Sequence, residues 1–494
     1  MPRLIVFFLC VFLCSCAHIS KTECARGFSS DKIYTLSESG RIALFEPEHF
    51  TPKPIKEALS TRLCEDGTFE FFEVKTDNVL RKSKCGERIC LCAADNENFY
   101  LLCNDKSEFA RVEKYSVKTK SYSVIAQFPS DAERIVFWDK GGEKEIQCIY
   151  FADGSRYISD TFSAAELKIK NAIARRNKIQ NIYWIEKAEA VDVWLAEVAY
   201  TDRPPIYVAF DFSTNSVAEV VDDFKDWETS TSRTKHKWTA SDGENIDVVL
   251  TYPQNRPLQN LPTIVFPHGG PATQNTLDFD YKADILASEG FLVIQPNYRG
   301  STGYGKTFRF GGFGARGITR AQLDISESLT YALKNGWVDG NNVFILGGSW
   351  GGFCAAYALT TSKIYKSGVL LFGAYDIPQM LKSFPKKSGA NKGLDKLQYG
   401  SSSEELERLK QISPFFNVKN ISAEVLLYHF FGDDVIEFEQ GERFYNELRK
   451  NGKKAEFVAG KGAHGFPSIC DEFNAYRKII KFFGGKVEKH KLQR

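Results

Sequence analysis

An apolar, β-branched run that ends in glycines around one serine constrains the fold of this chain most strongly. It reads Asn342-Val343-Phe344-Ile345-Leu346-Gly347-Gly348-Ser349-Trp350-Gly351-Gly352. The run predicts a buried strand, and the small residues at 354–356 predict a helix packed against a sheet. The pattern Gly347-x-Ser349-x-Gly351 is typical of a sharp strand-to-helix turn that exposes a nucleophilic serine. A glycine-rich loop after a buried strand is the alternative interpretation.

From Thr231 onward, apolar strand patterns alternate with helical patterns. Strands are predicted at 263–267, 291–295, 343–346, 368–372, 425–428 and 455–458, and helices at stretches such as 320–334 and 439–450. This alternation predicts a mostly parallel sheet with helices on both faces. Ligands of such sheets bind at the carboxyl ends of the strands. Residues 231–494 are therefore predicted to form an α/β-hydrolase domain with Ser349 at that edge.

A serine nucleophile needs a histidine that accepts its proton and a carboxylate that holds the histidine. Only His429, His464 and His490 follow Ser349 in the chain. His429 lies in an apolar run that predicts a buried strand, and His490 lies in a basic tail. His464 lies in a glycine-containing loop after a predicted strand and is the expected base. Asp433 and the adjacent Asp434 follow the preceding strand, and only one of the two can face His464.

Residues 25–230 contain short strand patterns and polar turns, with few helical patterns. Similar hairpin turns are predicted at 74–79, 117–122, 162–167 and 212–217, with an earlier copy at 37–42. A repeat of about 40 to 50 residues with several strands is typical of β-propeller blades. We therefore predict an all-β propeller-like domain of about five blades, with a β-sandwich as the alternative.

The first residues resemble a secretory leader. A short basic start and the apolar stretch 4–14 precede the small residues Ser15, Cys16 and Ala17. The pattern predicts a signal peptide over 1–17, cleaved near Ala17, and a secreted protein. A membrane anchor is the alternative, although anchors usually need about 20 apolar residues. The sequon at Asn420 predicts glycosylation, and the cysteine-rich segment before residue 150 predicts disulfides.

Charge and composition exclude several classes of partner. The 64 basic and 62 acidic residues are interspersed, so nothing predicts a nucleic-acid surface. Beyond the leader, no stretch is long enough for stable membrane insertion. Cys90-x-Cys92 has no histidine partner nearby, so neither a metal nor another cofactor is expected.

Six ordered motifs give residues 232–485 a family resemblance. They are Ser241-Asp242-Gly243, Pro267-His268-Gly269-Gly270-Pro271, the segment 297–305, Gly347-Gly348-Ser349-Trp350-Gly351-Gly352, Ser413-Pro414-Phe415 and Gly462-Ala463-His464-Gly465. Together they resemble the peptidase domain of the prolyl oligopeptidase family, most closely its acylaminoacyl-peptidase branch. The family also carries an N-terminal propeller, usually with seven blades or more. The resemblance therefore implies a serine peptidase whose propeller shields the site, and it leaves the closure of this shorter propeller in doubt.

The resemblance also implies roles for individual residues. Matching His429 and Gln440 to the family pattern makes Asp433 the catalytic acid, although Ile436 and Glu437 replace its Val-Pro pair. Asp434 stays open as an alternative. The oxyanion is expected to meet the backbone amide of Trp350 and a second amide at Gly269 or Gly270. Three aromatic residues are candidates for the substrate pocket, each also compatible with a core position: Trp350, Phe372 and Tyr375.

The leading functional hypothesis is a secreted serine peptidase that acts on short peptides, either as an acylaminoacyl-peptidase or as an oligopeptidase. No Glu-Glu pair precedes residue 231, so we do not favour the family's dipeptidyl peptidase specificity. A carboxylesterase with the same triad is one alternative, and a non-catalytic propeller protein that binds a partner is another. The sequence leaves the oligomeric state open.

Overall fold

The computed structural model describes residues 34–36, 42–44 and 59–487, except for short gaps at 65, 67, 75, 96, 128, 141–142, 174–177, 189–190 and 384–391. The predicted leader, its cleavage point at Ala17 and Cys24 lie outside the described residues. Within them, five small antiparallel sheets precede one large mixed sheet.

The N-terminal sheets comprise β1 to β16, and each is a run of consecutive strands. They are β1 (Tyr34–Leu36) and β2 (Ile42–Leu44); β3 (Leu59–Leu63), β4 (Phe69–Glu73) and β5 (Val79–Lys82); β6 (Ile89–Ala94), β7 (Asn98–Cys103), β8 (Arg111–Ser116) and β9 (Ser121–Ala126); β10 (Ala132–Lys140), β11 (Glu143–Phe151) and β12 (Arg156–Ile158); and β13 (Ile179–Lys187), β14 (Val193–Tyr200), β15 (Ile206–Asp211) and β16 (Ser216–Val221). The first sheet lies against the last, because β1 is close to β13 and β14 and β2 is close to β15.

The predicted turns fall between paired strands in four of five places. Residues 37–42, 74–79, 117–122 and 212–217 connect β1 to β2, β4 to β5, β8 to β9 and β15 to β16. The prediction for 162–167 is wrong, since α1 (Asp160–Ala172) occupies this stretch. The Ser159 side chain caps the helix, and Phe162, Ala165 and Ile169 are buried at helical spacing. Burial of this apolar face explains the helix.

The large sheet has the strand order β17-β18-β20-β19-β21-β22-β23-β24. Its strands are β17 (Thr231–Thr239), β18 (Asn245–Pro253), β19 (Leu261–Val265), β20 (Leu292–Asn297), β21 (Val338–Gly348), β22 (Tyr365–Leu371), β23 (Glu424–Phe430) and β24 (Ala455–Gly460). Strands β17 and β18 pair in antiparallel fashion, β18 pairs the same way with β20, and the pairs from β20 to β24 are parallel. This confirms the predicted α/β sheet.

Helices cover both faces of the large sheet. They are α2 (Tyr281–Ser288), α3 (Gly305–Phe310), α4 (Gly314–Lys334), α5 (Trp350–Thr361), α6 (Ile377–Ser383), α7 (Lys392–Tyr399), α8 (Ser403–Ile412), α9 (Phe438–Lys450) and α10 (Ile469–Gly484), with a 3₁₀ helix at Pro414–Asn420. Apolar residues of α4, α5 and α9 form one core with the sheet, and those of α2 and α10 form a second core on the other face. Each strand is therefore buried on both sides, as the apolar runs predict.

The N-terminal sheets contact the large sheet at the carboxyl ends of β19 and β20. Gln274, which follows β19, donates to the Ala152 carbonyl at 3.1 Å. The segment 303–307, which follows β20, is here called the docking loop. Its amides at Gly305, Lys306 and Thr307 donate to the Asp131 carboxylate, the Glu108 carbonyl and the Glu108 carboxylate at 3.1, 3.0 and 2.6 Å.

Several further sequence predictions can be located in this structure. Cys90, Cys92, Cys103, Cys148 and Cys354 carry free thiols, so these five form none of the predicted disulfides. Asn420 is exposed at the end of the 3₁₀ helix, where glycosylation remains a prediction. Among the helices of the described residues, none combines the length and apolar character of a membrane span.

Candidate active site

Ser349 occupies a strained turn between β21 and α5. Its backbone has φ 56° and ψ −124°, a conformation that residues with a Cβ rarely adopt. A Cβ at Gly347 would lie 2.0 Å from the Gly351 carbonyl oxygen, and one at Gly351 would lie 2.3 Å from the Pro267 carbonyl oxygen. The Ser349 amide donates to the Leu371 carbonyl at 2.9 Å. Backbone contacts therefore require both glycines and hold the half-buried serine at the edge of the sheet.

His464 reaches Ser349 from the loop after β24. Its Nε2 lies 2.9 Å from Ser349 Oγ, and its Nδ1 lies 2.8 Å from Asp433 Oδ2. The carboxylate can only accept, so Nδ1 carries the hydrogen and Nε2 presents its lone pair to the serine hydroxyl. The edge of the ring packs against Phe372, with centroids 5.2 Å apart. This orientation suits removal of the serine proton.

Asp433, and not Asp434, is the carboxylate at His464. Asp433 is buried in the loop after β23, whereas Asp434 is exposed. Asp433 Oδ1 accepts from the amides of Val435 and Ile436 at 3.0 and 2.8 Å. Burial alone would raise the pKa of this carboxyl, but hydrogen bonds from His429, His464 and the Ile436 amide hold the pKa well below its usual range. The carboxylate is therefore ionised whenever His464 is neutral.

Gln440, used above to place Asp433, joins two strand ends. From α9 its Oε1 accepts from the amides of Tyr375 and Asp376 at 3.0 and 2.9 Å, and its Nε2 donates to the Asp376 carbonyl at 3.1 Å. These bonds fasten the loop after β22 to the helix that follows the Asp433 loop. The residue therefore supports the site without contacting Ser349 in the described hydrogen bonds.

The loop after β19 brings Gly269 against Ser349. A Cβ at Gly269 would lie 3.2 Å from the Gly348 carbonyl oxygen and 3.4 Å from Ser349 Cβ. Gly270 has φ 110°, which favours glycine. Trp350 begins α5, and the first amides of a helix have no partner within it. The amides predicted to receive an oxyanion therefore border the serine from two sides.

Sequence reasoning assigned no role to the residues that hold this loop. The Tyr298 hydroxyl donates to the His268 carbonyl at 2.6 Å, and its ring stacks on His268 with centroids 4.4 Å apart. Ser301 Oγ lies 2.9 Å from His268 Nε2. Burial lowers the pKa of His268 to about 4, so its ring is neutral at physiological pH. Tyr298 and Ser301 belong to the motif at 297–305, whose local pattern does not indicate these contacts.

The three aromatic pocket candidates occupy different surroundings. Phe372 is half-buried beside His464, and Trp350 is 5% exposed and stacks on Phe353. Tyr375 has no exposed surface, since its ring stacks on Phe444 at 4.4 Å and its hydroxyl accepts from the Gly373 amide. The structure therefore corrects the prediction for Tyr375, which is a core residue. Phe372 has a free surface that a substrate could touch.

Chemically, the arrangement combines a nucleophile, a base, an orienting carboxylate and adjacent backbone amides. The Ser349 hydroxyl, the His464 ring and the Asp433 carboxylate form one hydrogen-bonded chain across the carboxyl ends of β21, β23 and β24. Such a chain can generate an alkoxide-like attacking oxygen and return the proton to a leaving group. It suits acyl transfer from an amide or an ester.

Comparison with known proteins identifies the family of the domain that holds this site. Residues 277–490 match the model of the prolyl oligopeptidase family. Dipeptidyl peptidase family member 6 of Caenorhabditis elegans is 29% identical over 191 residues, which are 38% of this chain and 26% of that protein. The acylamino-acid-releasing enzyme of Mus musculus is 26% identical over 251 residues, 48% of this chain and 33% of that enzyme. This chain thus matches no more than a third of the length of either relative.

Solved structures share the fold over most of the chain. An acylaminoacyl peptidase of Pyrococcus horikoshii superposes with a TM-score of 0.63 at 20% identity, covering 91% of this chain and 80% of that one. A puromycin-hydrolyzing peptidase of Mycobacterium tuberculosis gives 0.66 at 18% identity, covering 86% and 66%. These neighbours combine an N-terminal β-propeller with a C-terminal α/β-hydrolase domain, which confirms the predicted fold class.

Proposed function

Because the chain carries a peptidase domain of the prolyl oligopeptidase family, we propose that this protein is a serine peptidase that cleaves short peptides through an acyl-enzyme. The observation that carries the proposal is the hydrogen-bonded chain from Ser349 through His464 to Asp433. A hydrogen-bonded serine, histidine and carboxylate in these orientations are what such chemistry requires.

In the proposed mechanism, His464 Nε2 accepts the Ser349 proton as Oγ attacks the carbonyl carbon of the scissile bond. The negative charge that develops on the carbonyl oxygen is stabilised by the Trp350 amide and by a second amide at Gly269 or Gly270. Asp433 stabilises the imidazolium through Nδ1. His464 then protonates the leaving amine, and the acyl-enzyme forms as the C–N bond breaks. A water molecule, deprotonated by His464, releases the acyl group and regenerates Ser349.

The proposed substrates are short peptides, cleaved in the manner of an acylaminoacyl-peptidase or an oligopeptidase. Curated relatives of the domain include acylamino-acid-releasing enzymes and dipeptidyl peptidases. The N-terminal sheets contact the loops after β19 and β20, at the same edge of the large sheet as Ser349. Chain packed over this edge would exclude folded proteins. Secretion through the leader at 1–17 is part of the proposal and is tested by sequencing the N-terminus of protein recovered from the medium.

Ser349→Ala tests the proposal, with Ser401→Ala as a matched control at an exposed serine. We expect Ser349→Ala to lower kcat on an acyl-peptide anilide by about 10⁵-fold or more, because the attacking atom is lost. Labelling by a fluorophosphonate probe should disappear with it, while the melting temperature stays unchanged. Equal labelling of the wild type and Ser349→Ala would contradict the assignment.

A panel of substrates separates peptidase from esterase activity. Wild-type protein is assayed on acyl-peptide anilides, on free peptides of a few to a few tens of residues and on simple nitrophenyl esters. We expect cleavage of peptide amides. If esters are cleaved and no amide is, the carboxylesterase alternative replaces this proposal. If neither class is cleaved and no probe reacts, the non-catalytic alternative is favoured.

A further inference from the structure

A second histidine contacts the carboxylate of Asp433 from the side opposite His464. His429 lies in β23 with no exposed surface. Its Nε2 is 3.2 Å from Asp433 Oδ2 and 3.0 Å from the Ile436 carbonyl oxygen. His464 Nδ1 reaches the same carboxylate oxygen at 2.8 Å. Two imidazole rings therefore converge on one oxygen atom.

The surroundings of His429 fix the position of its proton. A carbonyl oxygen can only accept, so the Nε2 atom that faces Ile436 must carry the hydrogen. Nδ1 is buried and has no hydrogen-bond partner. A proton on Nδ1 would be a buried N–H without an acceptor, which is costly. The favoured tautomer therefore carries its hydrogen on Nε2, where it lies between the Ile436 carbonyl and the Asp433 carboxylate.

Helix α9 leaves the ring of His429 little room to move. A Cβ at Gly441 would lie 2.6 Å from His429 Nδ1 and 2.9 Å from His429 Cβ. The helix backbone therefore packs directly against the imidazole. The same ring meets Phe438 edge to face, with centroids 5.9 Å apart. Nε2 is held at a defined place beside the turn from Asp433 to Ile436.

This turn carries the carboxylate that His464 needs. Asp433 Oδ1 is held by the amides of Val435 and Ile436, and Oδ2 is left to the two imidazoles. Without the His429 contact, Oδ2 would lose a donor and the Ile436 carbonyl would lose its ring partner. Either change would allow the carboxylate to rotate away from His464. The catalytic chain thus extends one residue deeper into the sheet than the three residues that act on substrate.

We propose that His429 is a positioning residue, whose Nε2–H holds the Asp433 carboxylate in the orientation that His464 requires. The proposal rests on the proposed function, because it assigns the histidine to the same reaction. His429 touches no substrate. Its loss therefore lowers kcat and leaves KM nearly unchanged.

Two variants of similar size separate positioning from packing. His429→Met removes the donor, whereas His429→Gln places an amide N–H at about the reach of the imidazole Nε2. We expect His429→Met to lower kcat by about 10- to 100-fold, the range that one hydrogen bond to a charged group supports. His429→Gln should recover most of this loss. KM should stay within about twofold of the wild type in both, with melting temperatures close to each other.

Two outcomes overturn the proposal. One is a wild-type kcat in His429→Met, and the other is an equal loss of kcat in both variants, which would indicate packing alone. If neither variant folds, ¹⁵N-histidine NMR of the wild type and Asp433→Asn decides. The Nε2–H signal of His429 should shift when the carboxylate is replaced, and an unchanged signal contradicts the proposal. This readout needs no activity, so failure of the peptidase proposal is separately visible as absent hydrolysis and absent probe labelling.

Discussion

The large sheet and the N-terminal sheets use glycine for different reasons. In the large sheet, a Cβ at Gly347 or Gly351 would lie within 2.3 Å of a backbone oxygen. In the N-terminal sheets, Gly154 in the turn between β11 and β12 has φ 88°, and its nearest neighbour would be the Gln180 side chain at 3.7 Å. One half of the molecule therefore needs the absence of a side chain, and the other needs a backbone conformation.

The difference shows where single atoms matter. Around Ser349, backbone meets backbone, and nothing nearby can move aside without displacing a strand. In the N-terminal sheets, stability comes from a shared aromatic core whose members include Phe162, Trp184 and Phe210. Packing of this kind tolerates substitution if volume is kept. We therefore expect large effects from small changes in the first region and graded effects in the second.

The largest expected effect separates two adjacent carboxylates in the large-sheet half. Asp433→Asn should lower kcat by about 10³-fold or more, because His464 loses the acceptor that fixes its tautomer. Asp434→Asn, its matched control, should change kcat less than about twofold, since this side chain is exposed. Steady-state kinetics on one acyl-peptide substrate would measure both. The reverse ranking would transfer the role to Asp434 and weaken the claim that position alone decides here.

A pair of glycine substitutions tests the comparison directly. Gly351→Ala should lower the free energy of unfolding by about 3 kcal/mol or more, because its Cβ meets the Pro267 carbonyl. Gly154→Ala should cost about 1 to 2 kcal/mol, the strain of a left-handed backbone. Urea denaturation followed by tryptophan fluorescence would measure the difference. Equal losses would mean that the two regions are constrained alike.

The smallest expected effect concerns the contact between the two regions. Glu108→Ala removes the carboxylate that accepts from the Thr307 amide and hydroxyl at 2.6 and 3.0 Å. We expect cleavage of a long, unstructured polypeptide to rise about threefold to tenfold relative to a short peptide, the scale of one lost hydrogen bond. Glu97→Ala, an exposed glutamate in the N-terminal sheets, is the control. An unchanged ratio would mean that this contact does not limit access.

The sequence predicted those parts of the site that local sterics determine. Ser349 stands out because its turn requires glycines at fixed offsets, and His464 because it is the downstream histidine in a glycine loop. Asp433 could be separated from Asp434 only through its spacing to Gln440, since neighbouring carboxylates look alike in a sequence. The contact between His429 and Asp433 depends on how β23 and α9 pack, and no local pattern encodes it.

The errors have the same origin. Tyr375 follows a strand end, where an aromatic ring can face solvent or the core, and its stacking on Phe444 settled the matter. The helix at 160–172 resembled a hairpin because its polar residues hide the apolar spacing of Phe162, Ala165 and Ile169. The Ser159 cap was the available signal. The predicted domain boundaries, the glycosylation and the leader stay predictions.

The docking loop has a consequence for any attempt to make a stand-alone catalytic domain. Helix α3 begins without a side-chain cap of its own, because Tyr304 at the N-cap turns its hydroxyl to Asn297 and Asp247. Asp131 and Glu108 instead receive the first three amides of the helix. A shortened enzyme that starts near Thr231 would expose these amides to water. Its designer would have to supply replacement acceptors from the same chain, or accept a frayed helix beside the segment that holds His268.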